Sequence, residues 1–115
     1  MNLNMSSSFS ERVILLALNI PTGKVTTYGD LARAAGGSPL TARSITTILS
    51  KYPKHELIPW HRIVYAGGKV WLGDDASRKR RVALYKKEKI RICKQDKICN
   101  FEDCHLDWME LRELL

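Results

Sequence analysis

The sequence predicts a mainly α-helical domain with a small β-hairpin, arranged as a winged helix-turn-helix. Three observations carry that expectation. Two short helical stretches are joined by a glycine-containing turn, the second stretch has a basic outward stripe, and a glycine-centred hairpin pattern follows them. At 115 residues, with 44% hydrophobic and 27% charged side chains, the chain suits one domain around a single core.

Ser8 and Glu11 have the spacing of a capping box, in which hydroxyl and carboxylate satisfy amides at a helix start. Phe9, Val13, Leu16 and Ile20 then recur at helical spacing, so one face of this first helix belongs to the core, and Pro21-Thr22-Gly23 ends it. Lys24 to Thr26 reads as a short extended link. Thr27 caps a second helix whose apolar set is Leu31, Ala32 and Ala35, closed by Gly36-Gly37. Ser38-Pro39 opens a third helix that runs to about Lys51, with Pro where its missing N–H costs nothing. Ala42, Ile45, Ile48 and Leu49 form its buried face. Arg43, Thr47 and Lys51, each four apart, line a polar and basic one.

After Tyr52-Pro53 the pattern changes. Ile63-Val64-Tyr65 and Lys69-Val70-Trp71-Leu72 flank Ala66-Gly67-Gly68, which predicts the hairpin. Asp74, Asp75 and Ser77 offer caps for a fourth helix to about Lys89. Its first turns carry Arg78-Lys79-Arg80-Arg81, where the macrodipole disfavours cations; a phosphate partner or plain solvation compensates. Ile90-Arg91-Ile92 is a brief extended piece. Cys104, Trp108, Leu111 and Leu115, at helical spacing, predict a short helix that docks on the body. The resulting division is a flexible N-terminus over 1–8, the domain over 9–92, and a tail over 93–115 with a short acidic amphipathic helix.

The formal net charge is +7. Residues 102–115 hold five acids against Arg112 alone, so the remainder is more basic still and favours a polyanion. No apolar run is long enough to span a membrane, and the polar start has no basic region. A cytoplasmic, DNA-associated protein without a membrane partner is the default expectation. Cys93, Cys99 and Cys104 are odd in number, which argues against a disulfide framework; without a CxxC pair they read as incidental thiols rather than metal ligands. No cofactor motif occurs, and no dimerisation helix stands out, so a monomer is expected.

Three blocks, in order, carry a resemblance. Residues 20–32, Ile-Pro-Thr-Gly-Lys-Val-Thr-Thr-Tyr-Gly-Asp-Leu-Ala, resemble the helix-turn-helix entry of the O6-alkylguanine-DNA alkyltransferases. Ala42-Arg43-Ser44-Ile45 resembles the start of their recognition helix, and Ile58-Pro59-Trp60-His61-Arg62-Ile63-Val64 resembles their active-site motif. In that family the residue before His-Arg is the cysteine whose thiolate accepts the alkyl group. Here it is Trp60, whose indole offers no comparable lone pair. That replacement marks the alkyltransferase-like proteins, which the chain closely resembles.

The resemblance implies the C-terminal domain fold of the alkyltransferases and a non-enzymatic role. The protein would bind O6-alkylguanine in duplex DNA through the minor groove, flip the nucleotide, transfer no alkyl group, and mark the lesion for nucleotide excision repair proteins. Arg43 would be the finger that fills the base stack, and Tyr28 would press on the flanking phosphate. Thr27, Ser44 and Thr47 would complete the DNA face. Trp60, Ile63, Tyr28 and Gly73 would line the alkylguanine pocket. His61, Arg62 and Glu88 match a former relay, with Glu88 standing between scaffold and relic. Arg43 is one residue further from Tyr28 than the family spacing, and Leu72-Gly73-Asp74-Asp75 replaces the family's Tyr-Ser-Gly-Gly loop. Two other functions compete: a sequence-specific winged-helix transcription regulator, indifferent to alkylation, and an enzyme with a displaced acceptor cysteine.

Overall fold

The computed structural model describes residues 8–115, so the expected flexible start, Ser8 apart, lies outside the described residues. Helix α1 (Phe9–Leu18) begins where sequence chemistry puts it: the Ser8 hydroxyl accepts from the Glu11 amide. Val13, Leu16 and Ala17 turn inward. Helix α2 (Tyr28–Ala34) is capped by Thr27, which accepts from the Asp30 amide at 3.0 Å.

The third helix differs from its prediction. Pro39–Ser44 winds as a 3-10 helix, and only Ile45–Lys51 is α-helical (α3). The cause is local. The Thr41 hydroxyl donates to the Ser38 carbonyl and the Ser44 hydroxyl to the Thr41 carbonyl, both three residues back, where the backbone tightens to match. The chain reaches this turn only through glycine. A Cβ on Gly37 would lie 2.3 Å from Thr41 Oγ1 and 2.8 Å from the Phe9 ring. Arg43, Thr47 and Lys51 remain exposed along this segment, as their spacing requires.

The hairpin at 63–72 is corrected too. Strand β2 (Ile63–Val64) pairs in parallel with β1 (Thr26–Thr27), in the register Thr26 with Ile63 and Thr27 with Val64. The chain does turn back at 66–68, and the Tyr65 amide bonds the Lys69 carbonyl. That single closure is not extended, because Gly67 and Gly68 both take positive φ inside a 3-10 turn wider than a two-residue hairpin connection. Lys69 and Val70 are drawn instead to Lys97 and Asp96. The small antiparallel hairpin of this molecule lies downstream, between β3 (Ile92–Cys93) and β4 (Lys97–Ile98). Its connection is three residues long, 94–96, and Gln95 and Asp96 both take positive φ there without a glycine. This hairpin also corrects the reading of the cysteines. It brings Cys93 and Cys99 to a Cα separation of 5.2 Å, and they form a disulfide. Cys104 remains free and buried, and burial raises the pKa of its thiol.

Helix α4 (Asp75–Lys87) starts at Asp74, whose carboxylate accepts from the Ser77 amide. The tail forms two helices, α5 (Phe101–Cys104) and α6 (Trp108–Glu113), because Asp107 and Glu110 make a capping box that restarts the helix. Residues 104–106 run beside Val25, with the Val25 amide on the Cys104 carbonyl and the Leu106 amide on the Val25 carbonyl. The buried residues form two clusters. One joins α1, α2 and α3 with Leu106 and Leu111; the other gathers Val25, Val64, Val70, Leu72, Tyr85, Ile90, Ile98 and Cys104. The tail contributes to both. Leu111 is fully buried, and burying one leucine is worth about 2 kcal/mol. No helix among the described residues is long and apolar enough to cross a membrane.

Candidate nucleic-acid interface

Parallel pairing of β1 with β2 sets Thr27 level with Val64, so Tyr28, at the start of α2, comes beside Tyr65 just after β2, and the turn that precedes β2 leads into the same strand. That turn, Trp60–Arg62, is a 3-10 helix after Pro59. The Trp60 indole N–H is already committed: it donates to the His55 carbonyl at 3.1 Å. The ring therefore presents an apolar surface rather than a donor. It lines an open cleft of about 240 Å³ together with Tyr28, Thr46, Ile63, Tyr65, Trp71 and Arg81.

Of the residues expected in a base pocket, Tyr28, Trp60 and Ile63 share this cleft; Gly73 does not line it. Gly73 has φ +70°, and a Cβ there would fall 2.7 Å from the Trp71 ring. It acts by having no side chain, which lets the Trp71 ring lie back along the chain. Four cleft residues were missed: Thr46, Tyr65, Trp71 and Arg81. Trp71 and Tyr65 had been read only as strand positions. Arg81 was the one member of a cationic block that turns inward, and linear sequence cannot show which member that is.

The Tyr28 and Tyr65 rings lie 5.7 Å apart, tilted by 32°. Burial pushes the Tyr28 phenol up and outweighs a hydrogen bond with Thr46, so the group is neutral and can donate at physiological pH. The rest of the expected DNA face is on the outside. Arg43 is exposed and makes no hydrogen bond or ion pair among the described residues, which leaves its guanidinium available. Thr47 is exposed. The Ser44 hydroxyl donates to Thr41, and the Thr27 hydroxyl is taken up by Asp30, accepting from its amide and donating to its carboxylate. Thr27 thus sets the position of Tyr28, the first residue of α2.

Directly after Trp60 the surroundings reverse. His61 Nε2 lies 2.5 Å from Glu88 Oε2, and Arg62 donates to both Glu88 oxygens at 3.0 Å. Arg62 also reaches the Ile20 carbonyl and the Thr22 hydroxyl, and the Gly23 amide donates to Glu88. Burial raises the Glu88 pKa, but the bonds from Arg62, Gly23 and His61 prevail and hold it down to about 2. Such a carboxylate only accepts, so His61 Nε2 carries the proton between them. The Tyr85 hydroxyl closes the cluster by donating to the His61 carbonyl; burial pushes its own pKa up to about 12. Glu88, at the C-cap of α4, ties that helix to the end of α1 and to the Trp60 turn. Among the described residues no group of three His, Cys, Asp or Glu side chains is placed to hold a metal.

Sequence comparison matches residues 8–90 to the 6-O-methylguanine DNA methyltransferase, DNA binding domain. The chain is 44% identical over 78 residues to the DNA base-flipping protein of Escherichia coli, a stretch that is 67% of this chain and 60% of that protein. It is 34% identical over 62 residues to Alkyltransferase-like protein 1 of Schizosaccharomyces pombe, covering 54% of this chain and 56% of that one. The match thus spans less than two thirds of the length of either relative. Among solved structures, S. pombe Atl1 in complex with damaged DNA containing O6-carboxymethylguanine superposes with a TM-score of 0.67 at 25% identity, covering 91% of this chain and 99% of that one. The arrangement of helices with a small sheet is therefore shared with that protein.

Proposed function

Since the chain belongs to the family of the 6-O-methylguanine DNA methyltransferase DNA-binding domain, we propose that it recognises O6-alkylguanine in duplex DNA and leaves the alkyl group in place. The observation that carries this reading is the cleft at Trp60. Its walls are largely aromatic, with Ile63, Thr46 and Arg81 among them, and the position from which a nucleophile would attack holds an indole whose N–H is bound elsewhere. Displacement at a saturated carbon needs a thiolate or an equivalent lone pair, and Trp60 supplies neither. His61 and Glu88 are hydrogen-bonded as an activating pair would be, but the group beside them cannot be activated.

In this mechanism α3 and the turn before it approach the minor groove. The exposed guanidinium of Arg43 enters the base stack and takes the space of the extruded nucleotide. Tyr28, neutral and at the mouth of the cleft, presses on the adjacent phosphate, with Ser44 and Thr47 on the same DNA face. Extrusion costs a few kcal/mol, and less when O6-alkylation has weakened pairing with cytosine. The base then stacks against Trp60 over Ile63. A protein that binds without chemistry is useful when the distorted site recruits others, here the nucleotide excision repair proteins, with this chain acting as a monomer.

The test is a titration at fixed salt of one duplex with and without a single O6-methylguanine. Markedly tighter binding to the alkylated duplex, with the methyl group still on the guanine by mass spectrometry, is expected. Equal affinity would leave a general or sequence-specific DNA binder, and stoichiometric alkyl mass on the protein would make it an enzyme.

A further inference from the structure

Arg81 stands in the cleft without an acidic partner among the described residues. It is half-buried, and its guanidinium lies 5.1 Å from the centre of the Trp71 ring. Its other neighbours, Tyr85, with which it shares a hydrogen bond, and Tyr28, are both uncharged at neutral pH. The carboxylates of adjoining elements are engaged elsewhere. Asp96 pairs with Arg78, Glu88 is held by Arg62 and His61, and Asp74 caps α4. Arg78, Lys79 and Arg80 next to it are exposed cations that add to the positive potential.

A guanine seated against Trp60 would cover Arg81 and strip it of water. A cation covered without a partner is costly, whereas one met by an anion gains a strong, bidentate hydrogen bond. We propose that Arg81, steadied on the face of Trp71, selects O6 adducts that end in an anionic oxygen, such as a carboxylate on a short alkyl chain, over neutral adducts of equal length. The inference rests on the lesion-binding reading and names the adduct class that this cleft prefers. A DNA phosphate is the other source of such an oxygen. Lys79 and Arg80 are exposed to solvent outside the cleft, and Arg81 is the member of the block that lines it.

The test compares four duplexes carrying guanine, O6-methylguanine, O6-propylguanine or O6-carboxymethylguanine, each titrated at several salt concentrations with the parent protein, Arg81→Met and Arg81→Lys. Arg81→Met keeps most of the stem, and its thermal unfolding is recorded alongside. The parent is expected to bind the carboxymethyl duplex about tenfold more tightly than the propyl duplex, the gain of one charge-assisted hydrogen bond. Arg81→Met should bind those two alike while still preferring methylated over unmodified DNA, and Arg81→Lys should keep part of the preference. Equal binding of propyl and carboxymethyl by the parent would overturn the proposal. So would a uniform loss across all four duplexes in Arg81→Met with a shallower salt dependence, which would assign Arg81 to a phosphate. If the parent fails to separate methylated from unmodified DNA, the lesion-binding reading falls, and this proposal with it.

Discussion

Trp60 and Arg62 stand two residues apart on one short turn, in opposite surroundings. Trp60 faces an open cleft whose other walls come from α2, α3, α4 and the segment around Trp71, and its indole N–H is bound to the His55 carbonyl. Arg62 points the other way, into a cluster where one carboxylate, Glu88, collects bonds from a guanidinium, an imidazole and a backbone amide. The first region is an open, largely aromatic surface. The second is a clamp that holds α1, α4 and the turn together. The difference teaches that neighbouring residues of one turn can serve separate ends, because the clamp's bonds stabilise the fold whatever occupies position 60.

The comparison breaks most visibly at Glu88. Its side chain is only 6% exposed, and removing one member of a buried ion cluster strands the others, so Glu88→Ala should lower stability by about 3 kcal/mol. Calorimetry or chemical denaturation measures that loss. At a temperature where the variant is folded, the ratio of affinities for alkylated and plain duplex should be unchanged. Trp60→Ala should do the reverse: a smaller loss of stability, because the indole packs only in part against the core, but a lesion preference reduced by about 2 kcal/mol, the worth of stacking one base. A Trp60→Ala protein that loses as much stability as Glu88→Ala would make the indole a core residue instead. Arg43→Ala, at an exposed site, should leave the melting temperature alone and weaken lesion binding about tenfold, close to 1.4 kcal/mol; parent-like binding would remove the finger assignment.

The most gradual effect is on pH. The Glu88 carboxyl is held at about 2 in the folded protein against an ordinary 4.5, so its contribution is fully present above pH 4.5 and declines as pH falls from there towards 2. Thermal unfolding of the parent should therefore lose more stability across that interval than Glu88→Gln does. Parallel profiles would show that the clamp owes little to the charge of Glu88.

Much of the helical frame was legible, since it rests on local chemistry. Ser8, Thr27 and Asp74 cap their helices where the sequence places them, and Val13, Leu16, Ile45 and Leu49 are buried as their spacing demands. The errors lie where partners are distant. β2 found Thr26 and Thr27, 37 residues earlier, rather than the strand just beyond Gly67 and Gly68. The true hairpin was hidden because Gln95 and Asp96, not glycines, adopt its positive φ. The tail resembled one docked helix, yet it enters both core clusters and breaks at the Asp107 cap.

Taken alone, the sequence determined where α1, α2 and α4 begin, which of the helical faces are apolar, the excess of positive charge, and that an indole stands at position 60, because each is a property of side chains and their nearest neighbours along the chain. Tertiary structure decided that Cys93 meets Cys99, that Gly73 serves as the bed of Trp71 rather than a wall of the cleft, and that Arg81 alone of its basic block lines the site. Those depend on strand partner and helix rotation. Both are set by how the whole core packs, and no single stretch of residues carries that information.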